Sequence, residues 1–309
     1  MEPERVIPRE RRTRALKPFS FGCLKGHYSL NITNGCLHRC VYCYARGYPG
    51  APEANTVELY VNLPELIARE LRGRKRPRFV VLNTASDCFQ PHPSILELTH
   101  RCLKLLLENG LTIHFLTKGR IPPETLDLLS RYPKQVRAQV GLVSLDRAYW
   151  KLFEPRTAPP EERLKMIEEL AQRGILPDVR IDPMIPFFTD SEDQMKRLLS
   201  ALRDLGVKRV ILNYLHLRPG IEENLKRELG GLWQRISFCY RNQPWQKVGL
   251  STKSKLLPLG LRRRGYDRIR SWAGEMGIEA VLCSCKNPDL PGQTCIRVDP
   301  QGWVQMRLF

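Results

Sequence analysis

The sequence contains no run of about 18 apolar residues, which excludes a transmembrane helix. Its first stretch, MEPERVIPRERRTRALKPF, is charged and has no apolar h-region, so it does not read as a secretory signal. These two absences point to the cytoplasm, where thiols stay reduced. Internal repeats and low-complexity tracts are also missing. Acidic residues are scarce: 32 Asp+Glu stand against 50 Lys+Arg, for a net charge of +18. An excess of that size favours a polyanionic partner, whether DNA, RNA or an anionic substrate. The competing explanation is a charge spread over the surface for solubility. The basic residues are partly gathered, in Arg72–Arg78, in Arg262–Arg264 and in the N-terminal arm.

What is present is a chain of 309 residues with 42% apolar content, enough for one large α/β domain plus an appendage. Ten cysteines are many for a reduced protein unless some hold metal. Three of them, Cys36, Cys40 and Cys43, stand at C-x3-C-x2-C spacing in GCLHRCVYCY, with Tyr42 before the third. Three thiolates this close in a loop can hold three irons of one cubane cluster. No fourth cysteine lies nearby, so one iron stays open to a small chelating ligand. Zinc would need a fourth ligand; His38 is a candidate, but closing a tetrahedron from between two of the cysteines is awkward. A disulfide fits three reduced thiols poorly. The motif resembles the signature of the radical S-adenosylmethionine (SAM) superfamily, with an aromatic residue before the third cysteine.

Around the motif the chain alternates. Residues 1–27 read as a basic arm and Ser29–Thr33 as a short strand. Helices are expected at Leu63–Leu71, Ser94–Asn109 (with Ser94 as N-cap), Pro123–Arg131, Pro160–Arg173, Ser191–Leu205 and Glu222–Arg235. Strands are expected at Arg78–Thr84, Leu111–Thr117, Val136–Leu145, Asp178–Ile185 and Lys208–Leu215. Six strand–helix units imply a parallel sheet covered by helices: an α/β fold, an open partial (β/α)6 barrel over residues 28–240. Reactive groups in such folds gather at the C-terminal strand ends. From residue 241 a C-terminal cysteine-containing extension follows, with a basic helix at Arg262–Met276, a strand at Ala280–Cys283, and two short segments, Cys295–Val298 and Trp303–Met306, flanking a turn at Asp299–Gly302.

The strand ends carry Thr84-Ala85-Ser86-Asp87 with Gln90-Pro91, then Thr117-Lys118, then Ser144-Leu145-Asp146 with Glu154-Pro155-Arg156 and Arg163, then Asp182-Pro183. Singly these read as caps, surface lysines or turn residues. Together they suit a zwitterion and a ribose. The ordered series GCLHRCVYCYAR, TASDCFQP, FLTKG, SLD…EPR…RL and IDPMIP resembles the spore photoproduct lyase family of radical SAM proteins over about residues 28–240. That resemblance implies a [4Fe–4S] cluster on Cys36, Cys40 and Cys43, with SAM bound at Ser86, Asp87, Lys118 and Ser144. The Lys118 ammonium would pair with the SAM carboxylate. It further implies reductive cleavage of SAM to a 5′-deoxyadenosyl radical, hydrogen abstraction from a nucleic-acid substrate as in DNA repair by a lyase, radical transfer near Tyr42 and Tyr44, and an external electron donor such as flavodoxin or ferredoxin.

Two departures stand out. Where the family has a hydrogen-donating cysteine this chain has Thr84, whose O–H bond is too strong for that task; Cys88 is the nearest substitute in sequence, with burial at a helix start as its plainer reading. In the extension, Cys283, Cys285 and Cys295 form C-x-C-x9-C, with Cys23 or Cys239 unplaced, which suggests a second iron–sulfur cluster, a zinc site or unliganded thiols. Cys102 falls on an apolar helix face and reads as core. Two rival functions remain: radical SAM chemistry on a small metabolite or peptide, and a non-catalytic metal-containing module that grips nucleic acid.

Overall fold

The structure, a computed structural model, describes residues 4–20, 22–53, 55–73, 76–248 and 252–297. Short apolar segments alternate with amphipathic ones, and the apolar ones pair. Seven strands run parallel: β1 (Tyr28–Leu30), β2 (Phe79–Leu82), β3 (Thr112–Thr117), β4 (Val136–Gly141), β5 (Asp178–Met184), β6 (Arg209–Tyr214) and β7 (Glu279–Leu282). They lie side by side in chain order, and Lys17–Pro18 adds a short antiparallel strand outside β1. Among the described residues the two edges do not pair, and the sheet is an open barrel. Strands buried on both faces need apolar residues throughout; β2 and β6 are buried at every position.

Helices α1 (Leu63–Leu71), α2 (Pro93–Glu108), α3 (Pro123–Ser130), α4 (Arg147–Phe153), α5 (Pro160–Gln172), α6 (Glu192–Asp204), α7 (Pro219–Leu229), α8 (Gly231–Phe238) and α9 (Leu259–Glu275) fill the connections. Their apolar faces, such as Ile95, Leu98, Cys102, Leu103 and Leu106 of α2, pack into one continuous core with the strands. Burying Cys102 there agrees with its sequence position on the apolar face.

Several boundaries differ from the sequence reading. The cap of α2 is His92, with Pro93 at the first turn and no side-chain cap bond, so Ser94 is inside the helix and not its cap. The expected helix over 222–235 is two helices, because Gly230 at φ +51° breaks it. α4 was not anticipated; Asp146 caps it by accepting from Ala148 N at 2.7 Å. The strand expected in the extension is β7, which completes the sheet beside β6 through α9, so the parallel sheet has seven strands. The N-terminal arm is built in: Arg5–Arg9 pairs in parallel with Thr56–Tyr60, and the Asn62 side chain bonds Arg11 N and O at 2.8 and 3.1 Å. The turn at Asp299–Gly302 and the segment Trp303–Met306 lie outside the described residues, as does Val298.

Candidate active site

The cysteine loop follows β1 and is pinned to the next strand end. Gln90, fully buried, accepts from Leu37 N at 2.7 Å and donates to Thr33 Oγ1 at 2.8 Å. His38 places Nδ1 3.4 Å from Asp87 Oδ2, which ties the loop to the end of β2. Cys36, Cys40 and Cys43 line a cavity of about 630 Å³, together with Ser86, Asp87, Lys118, Arg180 and Asp182 from successive strand ends. All three thiols are free. Burial holds the Cys36 thiol well above its ordinary range and pushes Cys40 up to about 12, so metal binding there displaces protons.

The strand ends divide into anchors and available groups. Asp87 accepts from Thr117 Oγ1 at 2.8 Å, Phe89 N at 2.8 Å and Lys118 N at 2.8 Å. Burial opposes its charge, but His38 and these amides outweigh it and hold the carboxyl below the usual range. Its oxygens are therefore committed to joining the ends of β2 and β3. Ser86 Oγ takes hydrogen bonds from Asn83 Nδ2 at 2.9 Å and Thr33 Oγ1 at 3.0 Å while facing the cavity. Lys118 is an available cation: among the described residues no carboxylate pairs with it, and its Nζ lies 5.7 Å from the Tyr42 ring centroid. Ser144 is set back from the cavity wall, its hydroxyl accepting from Asp146 N at 3.0 Å.

Tyr42 donates to Glu154, which also pairs with Arg163 Nη1 at 2.6 Å; all three are buried. Arg163 in turn donates to Gly141 O at 2.8 Å and Ala158 O at 2.6 Å. The EPR and RL segments thus form a buried ion pair that supports the loop from beneath. Tyr44 donates to Thr84 O at 2.7 Å, and Arg218 lies over its ring at 4.7 Å with Tyr48 alongside at 5.6 Å. The structure does not bring Cys88 to the cavity: it is fully buried in the core, with its carbonyl accepting from Thr99 Oγ1 at 2.8 Å.

On the far wall Asp182 accepts from Arg180 Nε at 2.9 Å, Lys286 Nζ at 2.6 Å and Asn213 Nδ2 at 3.2 Å. Asn213, His216, Arg218 and Lys286 escaped the sequence reading; only their position at the end of β6 and in the segments after β6 and β7 could have signalled them. The cysteines of the extension also come together. Cys283, Cys285 and Cys295 gather with Cys23, their sulfurs all within 4.8 Å of one another, while Cys239 lies apart on the last turn of α8. Among the described residues this is the one such group of metal-ligand side chains, so the sulfurs of the loop trio are more widely spaced.

A wider trio, with no fourth ligand gathered to it among the described residues, fits a cubane with one open iron, and Lys118 and Ser86 face the same space. Comparisons agree. The radical SAM superfamily model matches residues 30–202, more than half of the chain. An uncharacterized protein of Acidianus two-tailed virus is 25% identical over 230 residues, covering 70% of this chain and 75% of that protein. The radical SAM Nalpha-GlyT isomerase of Pseudomonas phage M6 is 24% identical over 279 residues, covering 89% of this chain but 56% of its own length. Among solved structures, a spore photoproduct lyase mutant with bound AdoMet and dinucleoside spore photoproduct superimposes with a TM-score of 0.70 at 16% identity, over 89% of this chain and 81% of that one. No helix among the described residues is long and apolar enough to cross a membrane. The chain belongs to the radical SAM superfamily, with a [4Fe–4S] cluster and SAM as its cofactors.

Proposed function

We propose that this radical SAM enzyme acts on nucleic acid, abstracting hydrogen from a base or sugar presented at the cavity mouth. Bound at the loop, the cluster and SAM supply a 5′-deoxyadenosyl radical able to take hydrogen from an unactivated C–H bond. Cys36, Cys40 and Cys43 hold the cluster. Lys118 binds the SAM carboxylate through a charge-assisted hydrogen bond, and Ser86 contributes a hydroxyl beside it. Asp87, through Thr117 and the Lys118 amide, keeps the lysine at its strand end. Ser144 positions the chain beyond β4 instead of touching SAM, and Tyr42 acts through its bond to Glu154.

The observation that carries the substrate class is the ledge directly after Cys43. Arg218 lies over the Tyr44 ring, next to Tyr48 and without a carboxylate partner among the described residues. An aromatic face backed by a guanidinium suits a stacked base and its phosphate. The net charge of +18 supports the same reading. So do a relative named as a Nalpha-GlyT isomerase and a structural neighbour carrying a dinucleoside. With Thr84 at the usual donor position and Cys88 buried, hydrogen return by either is disfavoured, so an isomerisation or modification fits better than dimer repair.

The test is release of 5′-deoxyadenosine by the reduced, reconstituted protein, supplied with flavodoxin or ferredoxin, in the presence of duplex DNA, single strands, RNA or no substrate. Stimulation by one nucleic acid, with binding that weakens steeply as salt rises, is expected. SAM cleavage without stimulation or salt-dependent binding would move the substrate to a small metabolite or peptide. No SAM cleavage at all would favour a binding module.

A further inference from the structure

We infer that Cys23, Cys283, Cys285 and Cys295 bind a single zinc-class ion as a closed tetrathiolate, and that this ion clasps the two edges of the open sheet together. Four thiolates about 2.3 Å from one ion form a tetrahedron with edges of about 3.8 Å. Thiolates on the corners of a cubane stand roughly 6 Å apart, because the iron–sulfur core lies between them. Here all four sulfurs are within 4.8 Å of one another, with Cys23 to Cys283 at 3.7 Å and Cys283 to Cys285 at 2.9 Å. One ion fills that space after a small outward adjustment.

The ligands come from both ends of the sheet. Cys23 sits in the turn between Lys17–Pro18 and β1, at one edge. Cys283 directly follows β7, the other edge, and Cys285 lies two residues on. Among the described residues no strand pairing joins these edges, so the quartet supplies that link. The surroundings are shaped for it. Gly22 at φ +60° leads into the turn, and a Cβ there would stand 3.2 Å from Cys285 Cβ. Cys295 is presented by a loop whose carbonyls accept from Gln139 Nε2 at 2.6 Å and, through Thr294, from Arg209 Nη2 at 2.6 Å. Phe79, Val81, Ile211 and Ile296 pack against the group on the side away from the cavity, where Cys283 and Cys295 are buried. Four thiolates and one divalent ion leave two negative charges, and buried Arg180 lies near enough to Cys283 and Cys295 to offset part of that. Each thiol gives up its proton to solvent as the ion binds.

With all four positions taken by protein sulfur, this ion has no place for substrate or SAM; its role is to hold the cavity wall that Cys23, Cys285 and Cys295 line. The test removes the loop cluster and asks what remains. The full chain carrying Cys36→Ala, Cys40→Ala and Cys43→Ala is purified without oxygen, exposed to zinc, and its metals counted. About one zinc per chain is expected. Replacement by cobalt should give the intense thiolate charge-transfer and tetrahedral ligand-field bands of a four-sulfur site. Adding Cys285→Ser should lower zinc retention against a chelator more than tenfold; if that variant folds poorly, the cobalt spectrum of its parent decides. About four irons with inorganic sulfide, or a protein that holds no metal and whose seven remaining thiols all titrate on unfolding, would overturn the inference.

Discussion

The loop that carries Cys36, Cys40 and Cys43 and the seam that gathers Cys23, Cys283, Cys285 and Cys295 use one side chain in two geometries. The loop trio is local: its members lie within eight residues and follow a single strand. It leaves one coordination position to a ligand from outside. The seam quartet is assembled from distant segments, Cys23 and Cys283 being 260 residues apart in sequence, and is compact enough to enclose one ion. Both face the same cavity. The difference teaches that spacing along the chain reports a reactive site well, because an open cluster needs only a short loop, whereas a closed structural site can be spread over any segments that the fold brings together.

The comparison can be broken most sharply at the loop. Cys40→Ala should reduce 5′-deoxyadenosine formation below detection, measured on the reduced protein, while leaving zinc at the seam. Retained SAM cleavage would mean the trio is not the cluster site. Cys23→Ser should do the reverse to stability, with loss of a structural ion lowering the melting temperature by about 5–10 °C. A melting temperature unchanged after Cys23→Ser would remove the clasp from the account.

Beneath the loop, Arg163→Met leaves Glu154 charged and buried without its partner and should cost about 3–5 kcal/mol in denaturant unfolding. Burial alone would raise the Glu154 pKa, but Arg163, Lys118 and Tyr42 outweigh it and the net shift is downward. A carboxyl depressed on folding contributes stability that is present above its unfolded pKa, about 4.3, and lost as pH falls through the lower folded value. Glu154→Gln should therefore flatten the acid limb of the stability profile. Lys118→Met should raise the apparent Kd for SAM by about 10–100-fold, the worth of one charge-assisted hydrogen bond, without altering the iron content. Arg218→Ala should have the smallest effect, reducing the salt slope of nucleic-acid binding by about one.

Much of the frame was legible because local patterns decide it. Apolar runs gave the strands of a parallel sheet, and α1 matches its expected bounds, Leu63–Leu71. The extension hid more. The apolar segment at 280–283 reads as a strand, but nothing local says that it pairs with β6 and ends at a cysteine quartet. At the site, residue type misled where partners lie far off in sequence. Asp87 looks like a ligand-binding carboxylate, yet its oxygens are taken by Thr117, Phe89 and Lys118. Cys88 follows it directly, but the chain turns its thiol into the core. Ser144 spends its hydroxyl on the Asp146 amide two residues on. Lys118 does reach the cavity, because a strand-end lysine needs only its own backbone to be delivered there.

In the proposed site one loop holds a cluster with an iron free for SAM. Electron paramagnetic resonance of the reduced, reconstituted protein, recorded before and after SAM is added, tests that directly. A [4Fe–4S]⁺ signal that changes shape with SAM, and is missing from the Cys36/Cys40/Cys43→Ala variant, is the expected result. A signal indifferent to SAM, or one that survives in that variant, would contradict it.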